Sequence, residues 1–539
     1  MRTNFNRGVE NKMKETNLST FTGVELCFLD KRENSLRITA RLSTPSPEKE
    51  IVYYVNDEKK TLELGTPEQI NDTYRYIFEF FIDVTHLSEK VKIEFEYDTC
   101  TGPFFPTDFS VRGFYVIENS IMYNEGDALI FMPYTKKLYK QRRWIYWKAI
   151  LLNPHPAAIA AFIMRIGSWI LKPFMHKNMW LISDRMDRAG DNGEAFFDHV
   201  LENVPKGVKP VFVLERKSKD YKRLKKKGKV INPNSPFYKF YYLRAKAHIS
   251  SQLDGSRLLT VRPYLKDIMR EQRVIFLQHG IIEHDSSSYY NRFNFGMDMF
   301  VTTTNGEYKS IVDIKAYGCD KEIVQLTGLC RHDSLEDNRE RIIFVCPTWR
   351  LSLLRDTQDC ELAPDFRCST YYNFFKKLLS SEKLKLKAIE KGYKICFYPH
   401  RMMEKLKEHL PFDEEWQLDN ADISYRQMFG RGALLITDYS SVQFDFAYLK
   451  KPLVYCQFDE NEFFSAHTCG KGYMDYERDG FGPVCHSLDE AIDKICEYID
   501  NECRLLPEYE ARIDATFPQR DRKSCQRTFE KIKEICNVK

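Results

Sequence analysis

An α/β architecture of two doubly wound, Rossmann-like units facing a cleft, preceded by a small all-β, sandwich-like domain, is what the sequence predicts. Three observations predict it. The chain's 539 residues exceed what one core organises, at roughly 150 residues per domain. Period-two alternation fills residues 21–120, whereas short continuous apolar runs alternate with helical patterns after residue 178. Those runs form two series, separated by the charged connector Ser334 to Arg341.

Composition narrows the class. Hydrophobic content of 43% with 29% charged residues fits a globular protein, and a net charge of +4 makes any basic character local. Fifteen cysteines, thirteen of them after residue 318, include no C-x-x-C pair and no Cys/His cluster at zinc spacing. They read as reduced thiols of a cytosolic protein. The opening residues lack the apolar core of a signal peptide, and no run of about 20 uncharged apolar residues occurs. The expectation is a chain neither exported by a signal peptide nor membrane-spanning.

Residues 1–20 are polar and expected to be disordered. In the β domain, 21–120, Leu36, Ile38, Ala40 and Leu42 alternate with Arg37, Thr39 and Arg41, and Val91, Ile93 and Phe95 with Lys92 and Glu94. Further strands are expected at 51–55, 73–82 and 109–117. This domain carries no evident chemistry, and docking and purely structural roles both fit it.

Residues 121–178 read as a basic, aromatic linker. From Lys136 to Lys148, six positive charges lie among Tyr139, Trp144, Tyr146 and Trp147, and the apolar segment Ala157 to Leu171 follows, interrupted by Arg165. Basic residues interleaved with aromatics suit an anionic membrane surface. A solvated linker face explains them as well. Nucleic acid finds no support downstream.

The first α/β series places strands at Trp180–Ser183, Val211–Leu214, Ala247–Ser250, Val274–Leu277 and Met299–Thr302. The second places them at Ile342–Cys346, Lys394–Tyr398, Ala433–Ile436 and Leu453–Tyr455. Ligands in such sheets bind beyond the carboxyl ends of the strands. Those ends carry Gln278, His279 and Gly280; Thr348, Trp349 and Arg350; His400 and Arg401; and a Thr-Asp-Tyr-Ser-Ser turn, Thr437, Asp438, Tyr439, Ser440 and Ser441.

Each of these has a plain reading and a chemical one. The Ser440–Ser441 pair is either an N-cap or a phosphate cradle with free N–H groups at a helix start. His279 and His400 sit at strand ends in different units, where an imidazole takes a proton from a hydroxyl or donates to a phosphate oxygen. His155, His176, His248 and His486 read as structural. Arg350 and Arg401 fit phosphate, Arg350 the more directly. Asp184 and Asn192 orient an acceptor or cap the next helix. The G-x-G-x-x-G of dinucleotide sites and the G-x-x-x-x-G-K-[ST] of P-loops are missing, and no D-x-D marks a metal.

Six segments carry a resemblance: 276–281 (FLQHGI), 346–350 (CPTWR), 398–401 (YPHR), 437–446 (TDYSSVQFDF), 451–455 (KPLVY), and 472–476 (GYMDY) with 480–483 (GFGP). In this order they resemble the CDP-glycerol glycerophosphotransferase family of teichoic-acid polymerases and primases, over roughly residues 179–500. The resemblance implies a GT-B type pair of domains, 179–335 on the acceptor side and 336–539 on the CDP-donor side with closing C-terminal helices. It implies peripheral attachment to the inner face of a bacterial membrane. It also implies transfer of a polyol phosphate from CDP-glycerol or CDP-ribitol to a lipid-linked glycan or polyol-phosphate acceptor in teichoic-acid-like or capsular polymer synthesis, with no further cofactor.

By position, His279 is then the base or an acceptor-side phosphate contact, with Asp184, Asn192 and Gly280 nearby. His400, Arg350, Arg401, Thr437, Asp438, Ser440 and Ser441 attend the donor diphosphate, and Asp445 meets the ribose or polyol. Some members carry Trp where this chain has Gln278, which points to a different acceptor from a simple glycerol-phosphate primer. Two other readings remain: a sugar transferase of the same architecture, attacking carbon rather than phosphorus, and a non-catalytic scaffold.

Overall fold

A computed structural model describes residues 23–32, 35–70, 73–83, 90–96, 114–117, 119–125, 128–152, 156–253, 264–287, 289–356, 359–420, 423–466 and 470–538. The expected disordered start, residues 109–113 of an expected strand, and His155 lie outside these.

Two antiparallel sheets open the fold. One runs Gly23–Arg32, Ser35–Thr44, Thr73–Asp83, Glu68–Ile70, and the other Glu58–Glu63, Glu50–Val55, Val91–Glu96, Ala128–Pro133, Ser120–Glu125, Tyr115–Ile117. Register explains the first: Leu36 faces Ile82, Ile38 faces Phe80, Ala40 faces Phe78 and Leu42 faces Tyr76, so one row of side chains points one way. That row packs with Ile51, Tyr53, Ile93, Phe95 and Leu129 of the second sheet in a single core. Each fully buried side chain of this kind contributes about 1.5–3 kcal/mol.

The expected linker is structured. Its first residues supply the strands Ser120–Glu125 and Ala128–Pro133, and helices follow at Lys136–Leu152 and Pro156–Leu171. In the second helix Ala158, Ala161, Met164, Arg165 and Ser168 recur at helical spacing and are buried. Arg165 pairs with Asp267 and also donates to the Tyr264 carbonyl, which fastens the helix to the first α/β unit. The opposite face exposes Ile159, Phe162, Ile163, Ile166, Trp169 and Ile170. Among the described residues, Pro156–Phe174 is long and apolar enough to cross a membrane by length and composition alone.

Beyond Asn178 two parallel sheets form. The first has seven strands in the order Val230–Ile231, Val208–Val213, Asn178–Ser183, Ala247–Ser250, Arg273–Phe276, Met299–Thr302, Val324–Leu326. The second has five, in the order Lys394–Phe397, Ile342–Val345, Gly432–Thr437, Leu453–Cys456, Val484–Cys485. Central strands are buried on both faces, as their unbroken apolar runs require.

One helix departs from the expected division. Ser524–Cys536, placed by sequence order with the second unit, packs Phe529 and Ile532 against Trp180, Phe196 and Ile275 in the core of the first. Its apolar stripe is buried against that surface, so the chain crosses back.

Candidate active site

Parallel register aligns the strand ends of the first unit. Ser183 lies beside Ser250, and Ser250 beside Phe276, so the residues that follow them converge on one edge. Gln278 there adopts a left-handed backbone, φ 63°, a conformation that costs a non-glycine residue about 1–3 kcal/mol. Its surroundings hold it. The Asn192 amide donates to the Gln278 carbonyl at 2.7 Å, and the Gln278 side chain donates to the Val301 carbonyl at 2.7 Å and to the Glu307 carboxylate at 2.8 Å. Glu307 also accepts from the N–H groups of Ile282 and Thr303. Burial pushes its carboxyl up to about 7.

This strained turn presents His279. Its Nδ1 lies 3.2 Å from the Ser251 carbonyl. A carbonyl only accepts, so Nδ1 carries the hydrogen and Nε2 keeps its lone pair. The ring is accessible from the cleft. Even so, the protein around it lowers its pKa below the ordinary 6.5, desolvation being the main cause.

His400 follows the strand Lys394–Phe397 in the second unit, stacked near Trp349. Here the relationship reverses. Its Nδ1 accepts from the Met402 N–H at 3.3 Å, which leaves the hydrogen on Nε2. Burial, then the charge of Arg185 and the neighbouring His279 and Arg401, lowers its pKa to about 4. Both imidazoles are therefore neutral near pH 7, one presenting a base and the other an N–H donor.

Across from His279 stands the Thr-Asp-Tyr-Ser-Ser turn. A Cβ on Gly280 would come within 2.5 Å of the Ser441 hydroxyl, so the two units meet closely only because residue 280 is glycine. Among the described residues no acceptor takes the backbone N–H groups of Ser440, Ser441 or Val442, and no partner meets either serine hydroxyl. Arg401 forms an ion pair with Asp187 of the first unit at 3.6 Å.

Other expected residues have different work. Arg350 is 3% exposed and its guanidinium is held by Asp459 (2.9 and 3.0 Å) and Asp438 (2.8 Å) and by the Thr348 carbonyl. Asp438 also accepts from the N–H groups of Thr348 and Tyr439. The Thr437 hydroxyl donates to the Cys346 carbonyl. These three are buried and brace the strand ends, the two charges paired with each other and the Thr437 hydroxyl taken by the backbone.

Asp445, expected at the ribose or polyol, is 1% exposed. It accepts two hydrogen bonds from Arg331 at 2.7 Å and lies 3.1 Å from His332 Nε2. Burial alone would raise its pKa, but Arg331 and His332 hold it at about 2. Asp184 caps the helix Asn192–Glu202 through the N–H groups of Asp191, Gly193 and Glu194, and burial with the Asp191 charge pushes it up to about 7. Asn192 is fully buried between the Gln278 carbonyl and the Arg331 N–H.

Sequence reasoning missed Arg331, which donates to Asp191, Asp445 and the His279 carbonyl and so bolts the two units together beside the histidine. It missed Glu283, a buried carboxylate of the first unit that accepts from Gln443 of the second. It also missed Arg185, next to Asp184 at the end of the first strand. The strand-end rule that selected Asp184 reaches Arg185 equally.

Two parallel α/β units thus bring two histidines and a serine turn with free donors, among the described residues, to one cleft. Residues 164–534 match the family described as CDP-Glycerol:Poly(glycerophosphate) glycerophosphotransferase. The match spans most of the chain, and the chain belongs to that family. It is 33% identical over 389 residues to the minor teichoic acid biosynthesis protein GgaB of Bacillus subtilis (strain 168), covering 70% of this chain and 42% of that protein. It is 28% identical over 210 residues to the teichoic acid poly(glycerol phosphate) polymerase of the same organism, covering 38% of this chain and 28% of the relative. The chain thus spans less than half the length of these relatives. A solved structure of the wall teichoic acid polymerase TagF shares the fold, with a TM-score of 0.53 at 15% identity over 75% of this chain and 99% of that one.

Proposed function

We propose that the protein transfers a polyol phosphate, glycerol phosphate first among the candidates, from a CDP-linked donor to a hydroxyl of a lipid-linked glycan or polyol-phosphate acceptor. In this reading the two α/β units form a GT-B type pair, with residues 179–335 serving the acceptor and the second unit, from 336 on, the donor. The acceptor oxygen attacks the polyol-bearing phosphorus. The new O–P bond forms as the bond to the bridging oxygen breaks, and CMP leaves with that electron pair. His279 Nε2 takes the hydroxyl proton. His400 Nε2–H donates to the departing phosphate, and Ser440, Ser441 and Arg401 hold the diphosphate.

The opposite tautomers of His279 and His400 across the cleft carry this reading. A base and a donor are the two proton roles the reaction needs, and the contacts with the Ser251 carbonyl and the Met402 N–H support giving the first to His279 and the second to His400. The exposed apolar face of the helix Pro156–Leu171, flanked by Lys136, Lys137, Lys148 and Lys172, supports peripheral attachment to an anionic membrane surface.

The test is incubation with CDP-glycerol, CDP-ribitol and a panel of nucleotide sugars together with acceptor, scoring the nucleotide released. CMP from a CDP-polyol is expected. Release of a nucleoside diphosphate from a sugar donor would replace this reading with glycosyl transfer, and silence with every donor would favour a scaffold.

A further inference from the structure

Arg185 is a half-buried guanidinium without a counter-charge. It makes no hydrogen bond or ion pair among the described residues. The carboxylates of its own loop are all engaged elsewhere. Asp184 is taken by three backbone N–H groups, Asp187 by Arg401 and Asp191 by Arg331. An arginine in protein is always charged, and leaving it partly desolvated and unpaired is unfavourable unless an anion completes it.

Its position says which anion. The Asp187–Arg401 pair ties the Arg185 loop to the residue after His400, so Arg185 lies where the two units face each other. Its positive charge is felt on both sides of the cleft, by His279 and Tyr290 in the first unit and by His400 and Tyr425 in the second. With both imidazoles neutral, Arg185 is a permanent cation that acts on the proton acceptor and the N–H donor alike, whereas Arg331 acts on His279 and Arg401 on His400. A planar guanidinium offers two parallel N–H groups matched to two oxygens of one phosphoryl group.

We propose that Arg185 is a catalytic residue that grips the non-bridging oxygens of the phosphoryl group in transfer, between the attacking and departing oxygens. This rests on the phosphotransfer reading above and adds to it the group that neutralises charge developing on phosphorus. The proton and bond changes are unaltered.

The test compares Arg185→Ala and Arg185→Lys with wild type in CMP release from the CDP-polyol that wild type uses, after thermal melts establish folding. Both variants are expected to lose about 10²–10³-fold in kcat, with donor KM changed by less than about tenfold. Added methylguanidine is expected to restore part of the Ala variant's rate and none of the Lys variant's. Should Arg185→Ala fail to fold, Arg185→Lys alone carries the comparison. A kcat near wild type, or a defect confined to KM, overturns the inference and leaves the transfer reading standing. Wild type that releases no CMP from any CDP-polyol overturns both.

Discussion

Gln278 donates its side-chain N–H to the buried Glu307 carboxylate at 2.8 Å, while its own backbone stands in the left-handed region. The bond explains why a glutamine is tolerated there: the side chain serves as a strut for the turn that carries His279. Gln278→Ala keeps the strained backbone and removes the strut, leaving a buried acceptor less satisfied. It should destabilise the protein by about 1–3 kcal/mol, and turnover should fall more than donor KM rises. Urea melts and initial rates read the two effects separately. A variant with wild-type melting and wild-type kcat would remove the strut from the account.

His279→Ala should lower kcat by about 10²–10⁴-fold, the usual worth of a positioned base, while the donor still binds. Because desolvation lowers the His279 pKa below 6.5, the acid limb of kcat/KM should lie below that value. An acid limb centred above pH 6.5 contradicts the assignment.

His400 also links stability to acidity. Its folded pKa, about 4, is below the ordinary value near 6.5. Between those values the unfolded chain binds more protons, so this contribution is fully present above about pH 6.5 and is lost as pH falls toward 4. The drop in urea midpoint from pH 7 to pH 5 should therefore be smaller in His400→Asn than in wild type. Equal drops would contradict it.

Asp445→Asn separates a ribose contact from a structural bolt. Removing the carboxylate leaves Arg331 and His332 without their buried partner, and a loss of about 3–5 kcal/mol is expected. Calorimetry should detect it in the absence of any nucleotide. An unchanged melting point together with a raised donor KM would return Asp445 to the nucleotide.

Membrane attachment should follow the exposed apolar face. Trp169 is 75% and Leu152 76% exposed, so the double variant Trp169→Ser, Leu152→Ser should co-sediment less with anionic liposomes while melting as wild type does. Arg142 is a poorer probe than its charge implies, since it stacks 3.5 Å from the centre of the Tyr123 ring and helps fix the helix. Wild-type sedimentation by the double variant would argue against this face.

Much of the fold was legible because a parallel strand buried on both faces has to be written as an unbroken apolar run. All nine such runs read after residue 178 are strands, with ends that agree to within three residues. The short edge strands Val230–Ile231, Val324–Leu326 and Val484–Cys485 escaped because two or three residues carry no period. In the site, position at a strand end found His279 and His400. Neither strand-end position, for Arg350, nor the resemblance, for Asp445, could tell a residue facing the cleft from one turned inward, because that depends on partners far away in sequence: Asp459 for the one, Arg331 for the other.

The returning helix Ser524–Cys536 bears on how the chain is made. Phe529 completes a core begun by Trp180, so during synthesis the first unit stays unfinished while the second emerges and folds. A ribosome-bound intermediate should expose the groove around Trp180 and Phe196 until that helix arrives, an apolar surface open to association with other chains for as long as the second half is being made.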